Sequence, residues 1–222
     1  MSANVERWRA YAEQVRTELN SDVPASFVLA IIEAESTGTP GATRGEPAIG
    51  DASIGLMQVL GDTARKLGYT DAIGDPKILT GLYDPYTNIY YGSKLLKDLW
   101  GQLDDATSVA SAYNGGIRPK LGFGKPFPGP GTVTVCLARD ATGKCIKNRV
   151  VHPGEFGNAE YVNAVIGAMQ RYTDAGAYAL PPVIITDTPT LEDENSSGTN
   201  STTLLLIGAI VVGLAAVYKK IT

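Results

Sequence analysis

The stretch that most constrains this chain is Phe27-Val28-Leu29-Ala30-Ile31-Ile32-Glu33-Ala34-Glu35-Ser36. Apolar residues recur in it at helical spacing, and Phe27, Ile31 and Glu35 share one stripe while Glu33 points elsewhere. Glu35 therefore leaves the helix on its buried side. A carboxyl group with apolar neighbours and no cationic partner in view meets a desolvation cost only when ionised, so its pKa should rise towards neutrality. That makes Glu35 a candidate general acid. Capping or pairing at a helix end is the commoner fate of a lone glutamate, and the flanking residues decide between the two readings. A short turn, Gly55-Leu56-Met57-Gln58, could roof a cleft over the acid.

The remaining elements can be read in order. Val5, Trp8, Ala12, Val15 and Leu19 alternate steps of three and four, which predicts one amphipathic helix. Ser21 or Asp22 is expected to cap the next helix, with Pro24 in its first turn. From Thr37 to Ile54 the Gly- and Pro-containing sequence predicts loop, in which Asp51 weighs as a turn-former. Asp62 or Thr63 should start a short helix that Gly68 ends, and residues 86–103 predict a long buried helix. Val109, Ala110 and Ala112 sit in a short apolar helix that stops at Asn114-Gly115-Gly116, where Asn114 is also a natural C-cap. Leu121 to Gly131 is too rich in Gly and Pro for regular structure. Thr132–Cys136 and Cys145–Val151 then predict a hairpin inserted into a helical protein, and Tyr161 opens the last helix. Arg118, Lys120, Lys125, Arg139, Lys144, Lys147 and Arg149 make the insertion basic, most simply a solvated face. His152 has no companion His or clustered Cys or Asp, so neither a metal nor a catalytic role is expected, and no cofactor is called for.

Three of these segments carry a resemblance. Glu35-Ser36, Gly55-Leu56-Met57-Gln58 and Ala112-Tyr113-Asn114-Gly115-Gly116 stand in the order seen in soluble lytic transglycosylase-like domains, which share the goose-type lysozyme fold. Gly61 to Gly68 resembles the helix after the second motif, and Tyr83-Asp84-Pro85 through Gly92 resembles the family's DP..NI..G helix entry. The resemblance implies a mostly α, lysozyme-like domain with a small inserted β-hairpin. It implies cleavage of the MurNAc–GlcNAc bond of peptidoglycan with a 1,6-anhydro product, Glu35 serving first as acid and then as base. In that scheme Gly55 lets backbone approach a sugar, Leu56 and Met57 border the site with Met57 as an adaptable apolar contact, and Gln58 and Asn114 supply amides. Ser36 could orient Glu35, and Tyr113 and Tyr161 would stand near it. Gly157 replaces a glutamate that often precedes the last tyrosine by four residues. Two rivals are a hydrolytic goose-type lysozyme in which Asp51 or another acid activates water, and a non-catalytic murein-binding virion protein.

Length is compatible with one domain and an appendage, and the net charge of -4 argues against a nucleic-acid partner. Cys136 and Cys145 could pair across the hairpin, which leaves the redox compartment open. The charged start of the chain does not look like a cleavable signal peptide. Residues 1–180 are expected to form the catalytic domain. Residues 181–203, rich in Pro, Ser, Thr and acid, are expected to form a flexible tether. Residues 204–222 are expected to form a short transmembrane helix with Lys219-Lys220 at its end. The expected partners are glycan strands of peptidoglycan, a membrane and other virion proteins. The expected place is a bacteriophage particle, one with an internal membrane included, or else a bacterial envelope with the enzyme facing the wall.

Overall fold

In the computed structural model, residues 1–47, 49–70, 80–103, 105–140 and 142–176 are described. The expected tether and apolar tail helix, residues 181–203 and 204–222, lie outside them. Among the described residues no helix is long and apolar enough to cross a membrane.

Helix α3 (Ala25–Ser36) is the axis of the fold, and every residue from Ala25 to Ile32 is buried. A helix apolar on all sides is stable only with neighbours all round it. These are α1 (Ala3–Glu6), α2 (Arg9–Glu18) and, over the largest contact, α7 (Ala159–Gly176). The single N-terminal helix read from the sequence is thus two. The chain breaks at Arg7-Trp8, where the Trp8 indole is buried and donates to the Gly38 carbonyl at 3.1 Å while Asn4 donates to that of Thr37 at 2.7 Å. The break lets the first turn clasp the segment leaving α3. The start of α3 also differs from expectation. Pro24 itself is the N-cap residue, its carbonyl accepting from the amides of Phe27 and Val28, while Ser21 accepts from Val23 instead.

Between Ser36 and Leu60, a span in which loop was expected as far as Ile54, a three-stranded antiparallel sheet forms from β1 (Thr43–Glu46), β2 (Asp51–Ile54) and β3 (Val59–Leu60). Thr43 faces Ile54, Glu46 faces Asp51, and Ile54 also faces Val59. The strands are short and β1 is Thr-Arg-Gly-Glu, without the apolar alternation that betrays a half-buried strand. Helix α4 (Gly61–Lys66) begins one residue before the expected Asp62.

Asp84 caps α5 (Pro85–Trp100) by accepting from the Thr87 amide, and Asp105 caps α6 (Ala106–Gly115) by accepting from that of Ser108. The hairpin forms as expected from β4 (Val133–Arg139) and β5 (Cys145–Val151), joined by a Cys136–Cys145 disulfide. Its inner residues Val135 and Val151 pack on Phe123 in a small cluster apart from the main core.

Candidate active site

Glu35 sits in the last turn of α3, which ends because Thr37 turns into the left-handed region at φ 53°. Protein atoms enclose its carboxyl group, although the residue keeps partial solvent access. Burial pushes its pKa up to about 7. Three smaller effects modulate this: the Tyr161 hydrogen bond and Arg44 pull it down, and Glu46 pushes it up. Tyr161 hydroxyl donates to Glu35 Oε1 at 2.7 Å, from the first turn of α7. Tyr113, on α6, completes the surroundings. Burial first, and the Glu35 charge second, hold both phenols well above their ordinary range.

The Gly55–Gln58 turn beside this acid is fastened from several sides. Ser36 Oγ donates to the Leu56 carbonyl at 2.7 Å and Tyr113 hydroxyl to that of Met57 at 2.9 Å. Met57 amide donates to Asn88 Oδ1 at 2.8 Å, and Asn88 Nδ2 donates to the carbonyls of Ile54 and Leu82, each at 2.8 Å. Gly55 adopts φ 76°, and a Cβ there would lie 2.3 Å from Asn88 Nδ2. Glycine is therefore required both by conformation and by space.

Three expected roles change. Leu56 and Met57 have no exposed side-chain surface and Met57 packs against Gly92, so this turn presents backbone rather than an apolar side chain to the cleft. Ser36 bonds to the turn and to the Ile32 carbonyl, and so holds the roof to α3 rather than orienting Glu35. Gln58, at φ 47°, spends its side-chain nitrogen on the carbonyls of Ala42 and Gly55, each at 3.0 Å. Its amide oxygen is what remains to meet a ligand.

Asn114 is buried beside Tyr113, with Oδ1 accepting from Asn158 at 2.9 Å and Nδ2 without a protein partner among the described residues. Asp51 accepts from its neighbour Ala52 at 2.8 Å and from the Asp62 amide at the start of α4 at 2.9 Å. Both of its oxygens are engaged by backbone, and Asp51 opens β2 instead of forming the expected turn.

Sequence reasoning missed Arg44 and Glu46. They alternate along β1, form an ion pair at 2.6 Å, and act in opposite senses on Glu35. Ser53 on β2 donates to Glu46 at 3.2 Å. Their spacing of two is the one local sign that they share a strand face. Asn88 was legible only as part of a helix entry and Asn158 was missed, because a buried amide is identified only by the groups it joins.

Residues 15–122 match the family described as Transglycosylase SLT domain. That span includes Glu35, the Gly55–Gln58 turn, Tyr113 and Asn114, and ends before Tyr161. The chain is similar to a protein of Enterobacteria phage PRD1 described as Transglycosylase, at 34% identity over 107 residues, which are 48% of this chain and 35% of that protein. It thus spans about a third of that relative's length. It also resembles the X-ray structure of an inactive mutant of lytic transglycosylase Slt from Pseudomonas aeruginosa, at a TM-score of 0.50 and 18% identity, over 79% of this chain and 25% of that one. The resemblance read from the motifs is borne out over residues 15–122, which match that family, and the chain shares its fold, largely helical with small sheets, with that transglycosylase structure.

Proposed function

We propose that this chain is a peptidoglycan lytic transglycosylase that breaks the MurNAc–GlcNAc β-1,4 bond and leaves a 1,6-anhydro-MurNAc end. The observation that carries this reading is a single enclosed carboxyl, Glu35, poised at about 7 and held by the Tyr161 hydroxyl. A group used first as acid and then as base works best when its pKa lies near the working pH. Burial favours the acid form, while the tyrosine bond supports the carboxylate that follows. Protonated Glu35 gives its proton to the glycosidic oxygen as the bond to the anomeric carbon breaks. The substrate's N-acetyl oxygen supports the positive centre, in one of the known departures from the two-carboxylate scheme. The MurNAc 6-hydroxyl then attacks that carbon and returns its proton to Glu35, so no water is consumed. Gln58, through its amide oxygen, serves as a polar contact for the sugars.

Mass spectrometry of digested murein sacculi tests the proposal. Wild type should release anhydro-muropeptides, and Glu35→Gln should release none while retaining its fold. Cleavage by that variant at the wild-type rate would refute the assignment, and sacculus binding with no release by wild type would favour a non-catalytic protein.

A second reading is hydrolysis, with Glu46 rather than Asp51 activating water, because Glu46 is the acid that acts electrostatically on Glu35. Products carrying an added water, lost in Glu46→Gln, would establish it.

The phage source of the similar protein supports a role in local wall opening at genome entry, from the virion. The uncharged apolar run 204–218 followed by Lys219-Lys220 supports a membrane anchor, tethered through 181–203 to a catalytic domain of residues 1–180.

A further inference from the structure

The first turn of α7 delivers Tyr161 to Glu35, and a buried polar knot fixes that turn. Asn158 is 5% exposed and stands immediately before α7, its carbonyl accepting from the Val162 amide at 3.1 Å. Its side chain turns away from α7, towards α6. Asn158 Oδ1 accepts from Ser111 Oγ at 2.7 Å, while Nδ2 donates to the Ser111 carbonyl at 3.1 Å and to Asn114 Oδ1 at 2.9 Å. Ser111 Oγ in turn accepts from the Gly124 amide at 3.0 Å.

Backbone groups at the two ends give the knot its sense. The Gly124 amide can only donate and the Ser111 carbonyl can only accept. The Ser111 hydroxyl proton must then go to the Asn158 oxygen, the Asn158 nitrogen must face α6, and the Asn114 oxygen must face Asn158. Asn114 Nδ2 is left buried with no protein acceptor. The neighbouring position cannot take over this work. A Cβ on Gly157 would lie 2.5 Å from the Leu121 carbonyl and 2.7 Å from the Phe123 ring, which closes the site to any side chain.

We propose that Asn158 is a positioning residue: its amide pins the start of α7 to α6 and so holds the Tyr161 hydroxyl on Glu35. The clamp does not depend on the proposed murein substrate.

The test is a carbon NMR titration of the Glu35 carboxyl, which requires no turnover. Arg44 and Glu46 from β1, Tyr113 from α6 and Tyr161 from α7 are the titratable and charged groups that face it. An uncharged change at Asn158 leaves all of them in place. The Tyr161 bond pulls the Glu35 titration down, so its loss in Tyr161→Phe should move the midpoint upward by about one pH unit. Asn158→Ala should move it the same way, and the double variant should move it no further than Tyr161→Phe alone. Asn158→Thr, which can still cap a helix but cannot reach both Ser111 and Asn114, should behave like Asn158→Ala. Val165→Ala serves as a control, a cavity in α7 that lowers thermal stability without touching the knot, and should leave the midpoint unmoved. An unshifted midpoint in Asn158→Ala or Asn158→Thr, or a shift additive with Tyr161→Phe, overturns the proposal. In sacculus digestion, Asn158→Ala should lose about tenfold in rate. Absence of cleavage by wild type, with the titration coupling intact, would instead refute only the catalytic reading.

Discussion

At the scale of the single residue, the burial of Glu35 costs stability. Its folded pKa of about 7 lies above its ordinary 4.5, so the folded state holds the proton more tightly than the unfolded chain does. Stability is then highest below the unfolded value, falls as the pH rises through the interval between the two, and falls no further above the folded one. Glu35→Gln removes this dependence. The variant should gain on wild type across that interval by up to about 3 kcal/mol, read from urea unfolding at about pH 4 and about pH 8. A difference that stays flat with pH would show that the carboxyl is well solvated. The gain should accompany loss of murein cleavage, since the burial that destabilises the carboxylate is also what keeps a proton available.

At the scale of elements, the site is a meeting of four segments, and the Gly55–Gln58 turn joins them. Asn88 holds the Met57 amide and the carbonyls of Ile54 and Leu82 in the interior. Asn88→Ala removes all three bonds and leaves the buried Met57 amide bare. It should cost about 1–3 kcal/mol, the cost of a buried unsatisfied group, and chemical denaturation will read this directly. A loss below about 1 kcal/mol would mean that water replaces the amide. The β4–β5 hairpin is a separate case. Its own core is small, and the disulfide spans a sequence separation of 9, for which chain entropy predicts about 2–3 kcal/mol. Reduction should therefore raise hydrogen exchange in β4 and β5 while α3 and α7 keep their protection. Uniform loosening of the whole domain would contradict this division.

For the whole molecule, the proposed arrangement is an enzyme domain tethered near a membrane. The full chain should float with lipid vesicles in a density gradient, and residues 1–180 should stay behind, because the apolar run ahead of Lys219-Lys220 is at the lower length limit for a spanning helix. Flotation of both forms would place membrane affinity in the catalytic domain, and flotation of neither would remove the anchor.

The sequence by itself pointed to most of the helices, to the hairpin and to Glu35 as the candidate acid. Helical periodicity and capping are properties of residues three or four apart, so Asp84 and Asp105 mark their helices and Glu35 stands out at the end of an apolar one. The order of Glu35-Ser36, Gly55–Gln58 and Tyr113-Asn114 was equally legible. What each of those side chains does was decided by the tertiary structure. Tyr161 reaches Glu35 across 126 positions, Tyr113 reaches the Met57 carbonyl across 56, and Ser36 reaches the roof turn rather than its neighbour. The Arg44–Glu46 pair matters only because an unforeseen sheet sets it beside the acid. Backbone conformation follows largely from near neighbours, whereas the solvation and hydrogen-bond partners that tune a carboxyl come from whatever distant segments pack against it.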